Sequence, residues 1–209
     1  MQEMKLNKRR ETGYIKSMTQ EEFDTIVNAL KPYEHNYRLI FFLMFYMGLR
    51  IGECVTLRHS DILGNYKKLR VRLHKQKKII ERLIPKIVAE ELERYVFIER
   101  FSTTGNLFEP KRKSGSKNPH LQGSSVRWKV KKLREKTGLD DYYFVTKAGK
   151  KLARISPHTM RHAFLTRFYE KSGHDLLLTQ RIIGHERADT TARYINTDKE
   201  KEEEVINLL

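Results

Sequence analysis

Between Tyr37 and Met47 the chain is apolar almost all the way round a helix, and Gly48 follows at once. A helix without a polar face has to be covered on every side, and glycine is the residue that most readily ends one in a left-handed turn. This segment therefore demands a globular core built around it. It is too short to cross a bilayer: the longest apolar run, Leu39 to Leu49, is about half the roughly 20 residues a spanning helix needs. The start, Met1 to Leu6, has no apolar stretch of the signal-peptide kind. Cys54 is the only cysteine, which excludes an internal disulfide and a cysteine-based zinc site and fits a reducing compartment, so a cytoplasmic protein is expected.

The elements that must cover this helix can be read on either side of it. Thr19 and Glu22 have capping-box spacing ahead of Phe23, Ile26, Val27 and Leu30, which predicts a helix that ends at Pro32. A short helical stretch passes through Glu53 and Leu57, and a turn over 61–65 leads to a strand over 67–73 in which Leu69, Val71 and Leu73 alternate with cations. A basic turn at 74–78 joins it to a second strand over 79–84, closed by Pro85. Helices are expected over 87–100 (Leu92, Val96 and Phe97 inward) and over 125–136 (Val126, Val130 and Leu133 inward). Three more are expected over 157–171, over 175–183, and in a short stretch capped by Asp189. The fold class is mainly α with one small antiparallel β-sheet. Residues 1–16 read as a basic arm, 17–197 as one catalytic domain, and 198–209 as an amphipathic tail helix able to dock on its own domain or on a neighbouring protomer.

Charge narrows the function. Lys and Arg number 42 against 26 Asp and Glu, a formal net charge of +16, and such an excess points to a polyanion, most simply nucleic acid. The cations cluster. Residues 67–86 hold nine Lys or Arg and one acid, among them Lys77, Lys78 and Arg82; residues 111–136 hold ten and one, among them Lys111, Arg112, Lys113, Lys129 and Lys132. Such runs often form a solvated face; two of them without counter-charges favour a DNA-facing surface. The arm, with Lys5, Lys8, Arg9, Arg10 and Lys16, reads equally as a phosphate contact and as a solvated tail.

Three groups of residues can carry chemistry. His158 and Arg161, three apart behind Pro157, project from one helix face and can grip a phosphate: the guanidinium forks onto two oxygens and the imidazole moves a proton or donates a hydrogen bond. Gly184-His185 is followed nine residues later by Tyr194, whose hydroxyl is either structural or presented to a phosphodiester. Arg50 follows directly on the buried helix and its glycine, and an arginine in apolar surroundings must be paired or serve a site.

Gly48-Leu49-Arg50 with Glu53, the cationic hairpin, His158-x-x-Arg161, Gly184-His185 and Tyr194 together resemble, in order, the signature of the tyrosine recombinases, the phage-integrase family. The resemblance spans about residues 18 to 200. It implies the DNA-breaking-and-rejoining catalytic fold, with Tyr194 attacking a backbone phosphorus to leave a 3′-phosphotyrosyl link and a free 5′-hydroxyl. Arg50 and Arg161 would hold the non-bridging oxygens, His158 would accept a proton or donate a hydrogen bond, and His185 would contact the phosphate or orient the tyrosine. Glu53 would brace an arginine. A hairpin lysine would protonate the departing 5′-oxygen; Lys75 keeps the strand-end position and is favoured, while Lys77 keeps the distance from Arg82.

The resemblance also implies a site-specific recombinase, nucleoid-associated, acting as a tetramer on double-stranded DNA through a Holliday junction, without cofactor or metal. The sequence offers neither a phosphate-binding Gly-x-x-x-x-Gly-Lys loop nor a carboxylate cluster suited to magnesium. His158 and His162 have zinc-helix spacing, but the residue after His158 is Thr rather than Glu. A type IB topoisomerase uses the same chemistry as a monomer, and a DNA-binding regulator could keep the scaffold without the reaction; a mere binder has no need of Tyr194. Family members usually carry a further helical DNA-binding domain ahead of the catalytic one, so the chain reads either as a catalytic-domain fragment or as a minimal recombinase.

Overall fold

The computed structural model describes residues 17–73, 77–99, 105–110, 120–145 and 151–183. The chain divides into two compact units, one over Lys16–Phe164 and a second that takes up the chain from Leu165.

The first unit is organised around the apolar helix. Helix α1 (Gln20–Asn28) opens with the reciprocal cap expected of it: the Glu22 N–H donates to Thr19 Oγ1 (3.2 Å) and the Thr19 N–H to Glu22 Oε2 (3.0 Å). Its Phe23 ring stacks on Phe45 with centroids 4.0 Å apart, which seats α1 on α2 (His35–Tyr46). Seven consecutive residues of α2, Leu39 to Phe45, are buried, as a helix without a polar face requires. The short α3 (Ile51–Val55) follows, then a 3₁₀ turn at His59–Asp61.

A three-stranded antiparallel sheet comes next, in the order β1 (Ile62–Leu63), β2 (Lys68–Leu73), β3 (Lys78–Leu83). Its register pairs Leu69 with Arg82, Val71 with Ile80 and Leu73 with Lys78. Leu69, Val71 and Leu73 are buried, so the alternation read from the sequence does face the core. Helix α4 (Lys86–Ile98) packs against α2 and buries Val88, Leu92 and Tyr95. Phe97, expected inward, is 65 % exposed; it stands five residues after Leu92, nearer the opposite face than the i+3 or i+4 position that would share one.

Helix α5 (Gly123–Thr137) covers α1 and α3 and stops at Gly138 in a left-handed conformation (φ +72°). Arg134 is buried among the cations of this helix; it donates to Asp140 (2.6 Å) and to the Ile155 carbonyl (3.1 Å), tying the end of α5 to the segment ahead of the next helix. A second sheet, β4 (Tyr142–Val145) against β5 (Lys151–Ala153), corrects the expectation of a single one. Helix α6 (Pro157–Lys171) begins in this unit and carries the chain across the boundary at Phe164.

In the second unit the described residues comprise the rest of α6 and α7 (Leu176–Ile183), where the Asp175 carboxylate accepts from the Leu178 N–H (2.8 Å) and so caps the helix. No helix among the described residues is long and apolar enough to cross a membrane.

Candidate active site

The site is assembled on the carboxyl end of α2. Gly48 takes a left-handed conformation (φ +63°), and the Leu49 N–H returns to the Leu43 carbonyl (3.3 Å). A Cβ at position 48 would overlap the Phe164 ring, so both backbone and space require glycine here. The final carbonyls of a helix lack intrahelical donors and carry the negative end of its dipole. Two arginines meet them from distant elements: Arg82 of β3 donates Nη1–H to the Met47 carbonyl (2.7 Å), and Arg161 of α6 donates Nη1–H to the Gly48 carbonyl. Each is only 5 % exposed.

Arg50 begins α3 beside them. Its N–H donates to Glu53 Oε2 (2.7 Å) and its Nη1–H to Glu53 Oε1 (2.9 Å), while Glu53 Oε2 lies 3.8 Å from Arg161 Nη1. Glu53 is 3 % exposed, a burial that an ionised carboxylate withstands only with cations around it. The same carboxylate acts through space on Arg82, whose guanidinium is pushed down to about 10 by burial, with Glu53 opposing the shift and Arg50 adding to it. Three guanidinium groups thus gather round Glu53, and Arg50 is the most open of them, with 27 % of its side chain accessible.

Helix α6 sets the other groups. Ser156 caps it reciprocally with Thr159: the Thr159 N–H donates to Ser156 Oγ (3.2 Å) and the Ser156 N–H to Thr159 Oγ1 (2.8 Å). Pro157 then occupies the first helical position, where its missing N–H costs nothing. His158 is exposed in this first turn, and Arg161 lies one turn on, directed inward to the Gly48 carbonyl. Partial desolvation, followed by the positive charges of Arg161 and Arg50, holds His158 below its ordinary pKa and leaves it neutral at pH 7. His162 is buried, and desolvation, then His158, pushes it down to about 4. The two histidines at zinc-helix spacing therefore differ in setting, one exposed and one interior. Among the described residues no group of three or more His, Cys, Asp or Glu side chains is placed to hold a metal ion.

Arg50, Glu53, His158 and Arg161 are thus brought to one place; Lys75, His185 and Tyr194 lie outside the described residues, as do Lys111, Arg112 and Lys113. Lys77, in a left-handed conformation (φ +51°), Lys78 and Lys132 are exposed. Arg82 corrects its expected place on the DNA-facing surface, because its guanidinium is buried against Met47. The β-alternation carries that signal in the sequence: Ile80, Arg82 and Ile84 share the phase that pairs with buried Leu69 and Val71. Lys129, also expected to face DNA, is tucked against α2. It pairs with Glu34 and lies 5.2 Å from the Tyr37 ring centroid. A third arrangement has no signal in the sequence. Asp61, fully buried, accepts from the Arg58 N–H (2.8 Å) and from Arg72 Nη2–H (2.9 Å), fixing the end of β2 where the basic turn begins. Cys54 is fully buried, and burial raises its thiol well above the ordinary value.

Two arginines, a glutamate and a histidine thus converge beside a glycine-stopped helix, where guanidinium forks and an imidazole are groups able to hold an oxyanion. The chain belongs to the phage integrase family, which it matches over residues 16–201. It is 28 % identical to a tyrosine recombinase XerA of Thermococcus onnurineus over 179 residues, 86 % of this chain and 57 % of that one. It is 30 % identical to a tyrosine recombinase of Thermosipho africanus, over 88 % of this chain and 58 % of that one. The chain thus spans somewhat more than half the length of these relatives. Among solved structures its fold is similar to that of a XerA recombinase (TM-score 0.68, 21 % identity, 92 % of this chain and 64 % of that one). It is also similar to a lambda integrase solved as a tetramer on a Holliday junction (TM-score 0.61, 16 % identity, 85 % and 47 %).

Proposed function

We propose that this chain is the catalytic part of a site-specific DNA recombinase that cuts and rejoins strands through a 3′-phosphotyrosyl intermediate. The observation that carries the reading is the convergence of Arg50 and Arg161 on one carboxylate, Glu53, with His158 one turn from Arg161. In this reading a DNA phosphate occupies the place beside Arg50 and His158, and the guanidinium groups neutralise its oxygens as phosphorus becomes five-coordinate. The Tyr194 oxygen bonds to phosphorus and the bond to the 5′-oxygen breaks. His158, neutral at pH 7, accepts or shares the tyrosine proton, and Lys75 supplies one to the departing 5′-hydroxyl. His185 contacts the same phosphate. The bond energy stays in the phosphotyrosyl link, so rejoining needs no nucleotide. Double-stranded DNA is the partner, and four copies act together on two aligned sites, a reading supported by the relative solved as a tetramer on a Holliday junction.

The test is covalent trapping. The protein is incubated in EDTA with a sequence-randomised pool of nicked duplexes, and protein–DNA adducts are sought on a denaturing gel. An adduct formed by the native chain and absent from Tyr194→Phe establishes the nucleophile and the reaction class together. Tight DNA binding without any adduct would instead identify a binding protein, and relaxation of supercoiled plasmid without site preference a topoisomerase.

A further inference from the structure

The three guanidinium groups round Glu53 are not equivalent. Arg50 and Arg161 have roles in the reading above, whereas Arg82 has none: it is buried on the core face of β3, too deep to meet a duplex. Its Nη1–H is spent on the Met47 carbonyl, and among the described residues Nε and Nη2 have no hydrogen-bond partner. A buried guanidinium with two unsatisfied nitrogens carries a desolvation cost that a hydrophobic residue at the same place would not. Leucine or isoleucine would suit a strand position paired with Leu69 and adjacent in phase to Ile80. A cation retained there has work to do that packing cannot supply.

The geometry shows what that work is. Met47, Gly48, Leu49 and Arg50 form the turn between α2 and α3, and two consecutive carbonyls of this turn are each held by one arginine, Met47 by Arg82 and Gly48 by Arg161. Arg161 is proposed to face the phosphate as well, so its hold on the turn is shared with a ligand. Arg82 is not exposed to such competition. The next residue but one after Gly48 is Arg50, whose own N–H and side chain are both fixed on Glu53. Moving the Met47 peptide therefore moves the backbone from which Arg50 projects.

Resting on the strand-transfer reading, we infer that Arg82 is a positioning residue for the reaction: from beneath, through the Met47 carbonyl, it fixes the α2–α3 turn that aims Arg50 at the DNA phosphate. The buried charge has a second effect, since it adds a third cation beside the Glu53 carboxylate that Arg50 and Arg161 approach.

The test compares Arg82→Gln and Arg82→Lys with the native chain. The probe is the nicked duplex recovered from the native adduct, and adduct formation is timed at saturating protein. For Arg82→Gln the rate is expected to fall on the order of 10- to 100-fold with the DNA dissociation constant changed less than about twofold, the signature of misplaced rather than missing binding groups. Arg82→Lys keeps one donor and the charge, and recovers most of the rate. Amide hydrogen exchange on the free protein reads the turn directly: in Arg82→Gln the amides of Leu49 to Glu53 exchange faster while those of α1 and α4 are unchanged.

An unchanged rate in Arg82→Gln, unchanged exchange at the turn, or a rate loss matched by lost DNA binding would overturn the inference. Should Arg82→Gln not fold, Arg82→Lys decides alone. Near-native rate and exchange support the positioning role, whereas a folded Arg82→Lys with native exchange but no adduct overturns it. If the native chain itself forms no adduct, the strand-transfer reading has failed, and the exchange measurement still decides whether Arg82 holds the turn.

Discussion

At the scale of single residues, the site depends on one position that tolerates no side chain. Gly48 needs both its left-handed backbone and the space taken by the Phe164 ring. Gly48→Ala is expected to cost about 2–4 kcal/mol, roughly 1 from the backbone and the remainder from displacing the ring, and urea unfolding checks it; a loss below about 1 kcal/mol would show that the turn can readjust. His162 makes a pH prediction. It is buried and neutral in the folded state with its pKa pushed down to about 4, against about 6.5 when unfolded. Between those values the unfolded chain binds the proton and the folded one does not, so stability is full above pH 6.5 and declines as pH falls toward 4. The loss attributable to His162 is about 3 kcal/mol. Stability measured at pH 7 and pH 4.5 should show a smaller difference in His162→Gln than in the native chain.

At the scale of elements, β2 is held in place by a charge pair as well as by its ladder. Asp61 is fully buried and serves both Arg58 and Arg72; Asp61→Asn leaves Arg72 without its counter-charge and is expected to cost about 2–4 kcal/mol. Thermal unfolding measures the loss, and a native melting temperature would show the pair to be dispensable. Much at this scale could be read beforehand. The Thr19 and Glu22 spacing gave α1, the unbroken apolar run gave α2 with its glycine stop, and alternation with cations gave β2. What escaped was physically small or local. Strand β1 is two residues long and has no period to detect, and β4–β5 is made of strands of four and three residues. Arg82 and Arg134 are buried although charge by itself favours a place outside, and for Arg82 the phase of the strand is the signal that sets it on the inner face. Asp61 and Arg72 are 11 residues apart, with nothing in their spacing to announce a pair.

For the whole molecule, the net charge of +16 becomes a binding prediction. Affinity for duplex DNA should weaken steeply with salt, log Kd rising by about 0.9 per phosphate neutralised for each unit of log salt concentration. Replacing Lys111, Arg112 and Lys113 together by alanine should lower that slope by up to about 3, as fluorescence titrations from low to moderate salt would show; an unchanged slope would remove this segment from the interface. The two carbonyls at the end of α2 also bear on the order in which the molecule forms. Arg82 reaches Met47 across 35 residues of sequence, but Arg161 reaches Gly48 across 113. Loop closure of that length is paid for late in folding, after local contacts have formed. A chain emerging from the ribosome can complete its central helix and hairpin long before α6 exists to supply Arg161 and His158. Most of the core can therefore be in place before the segment that completes the Glu53 cluster has joined it, so the cluster is assembled late relative to the fold that carries it.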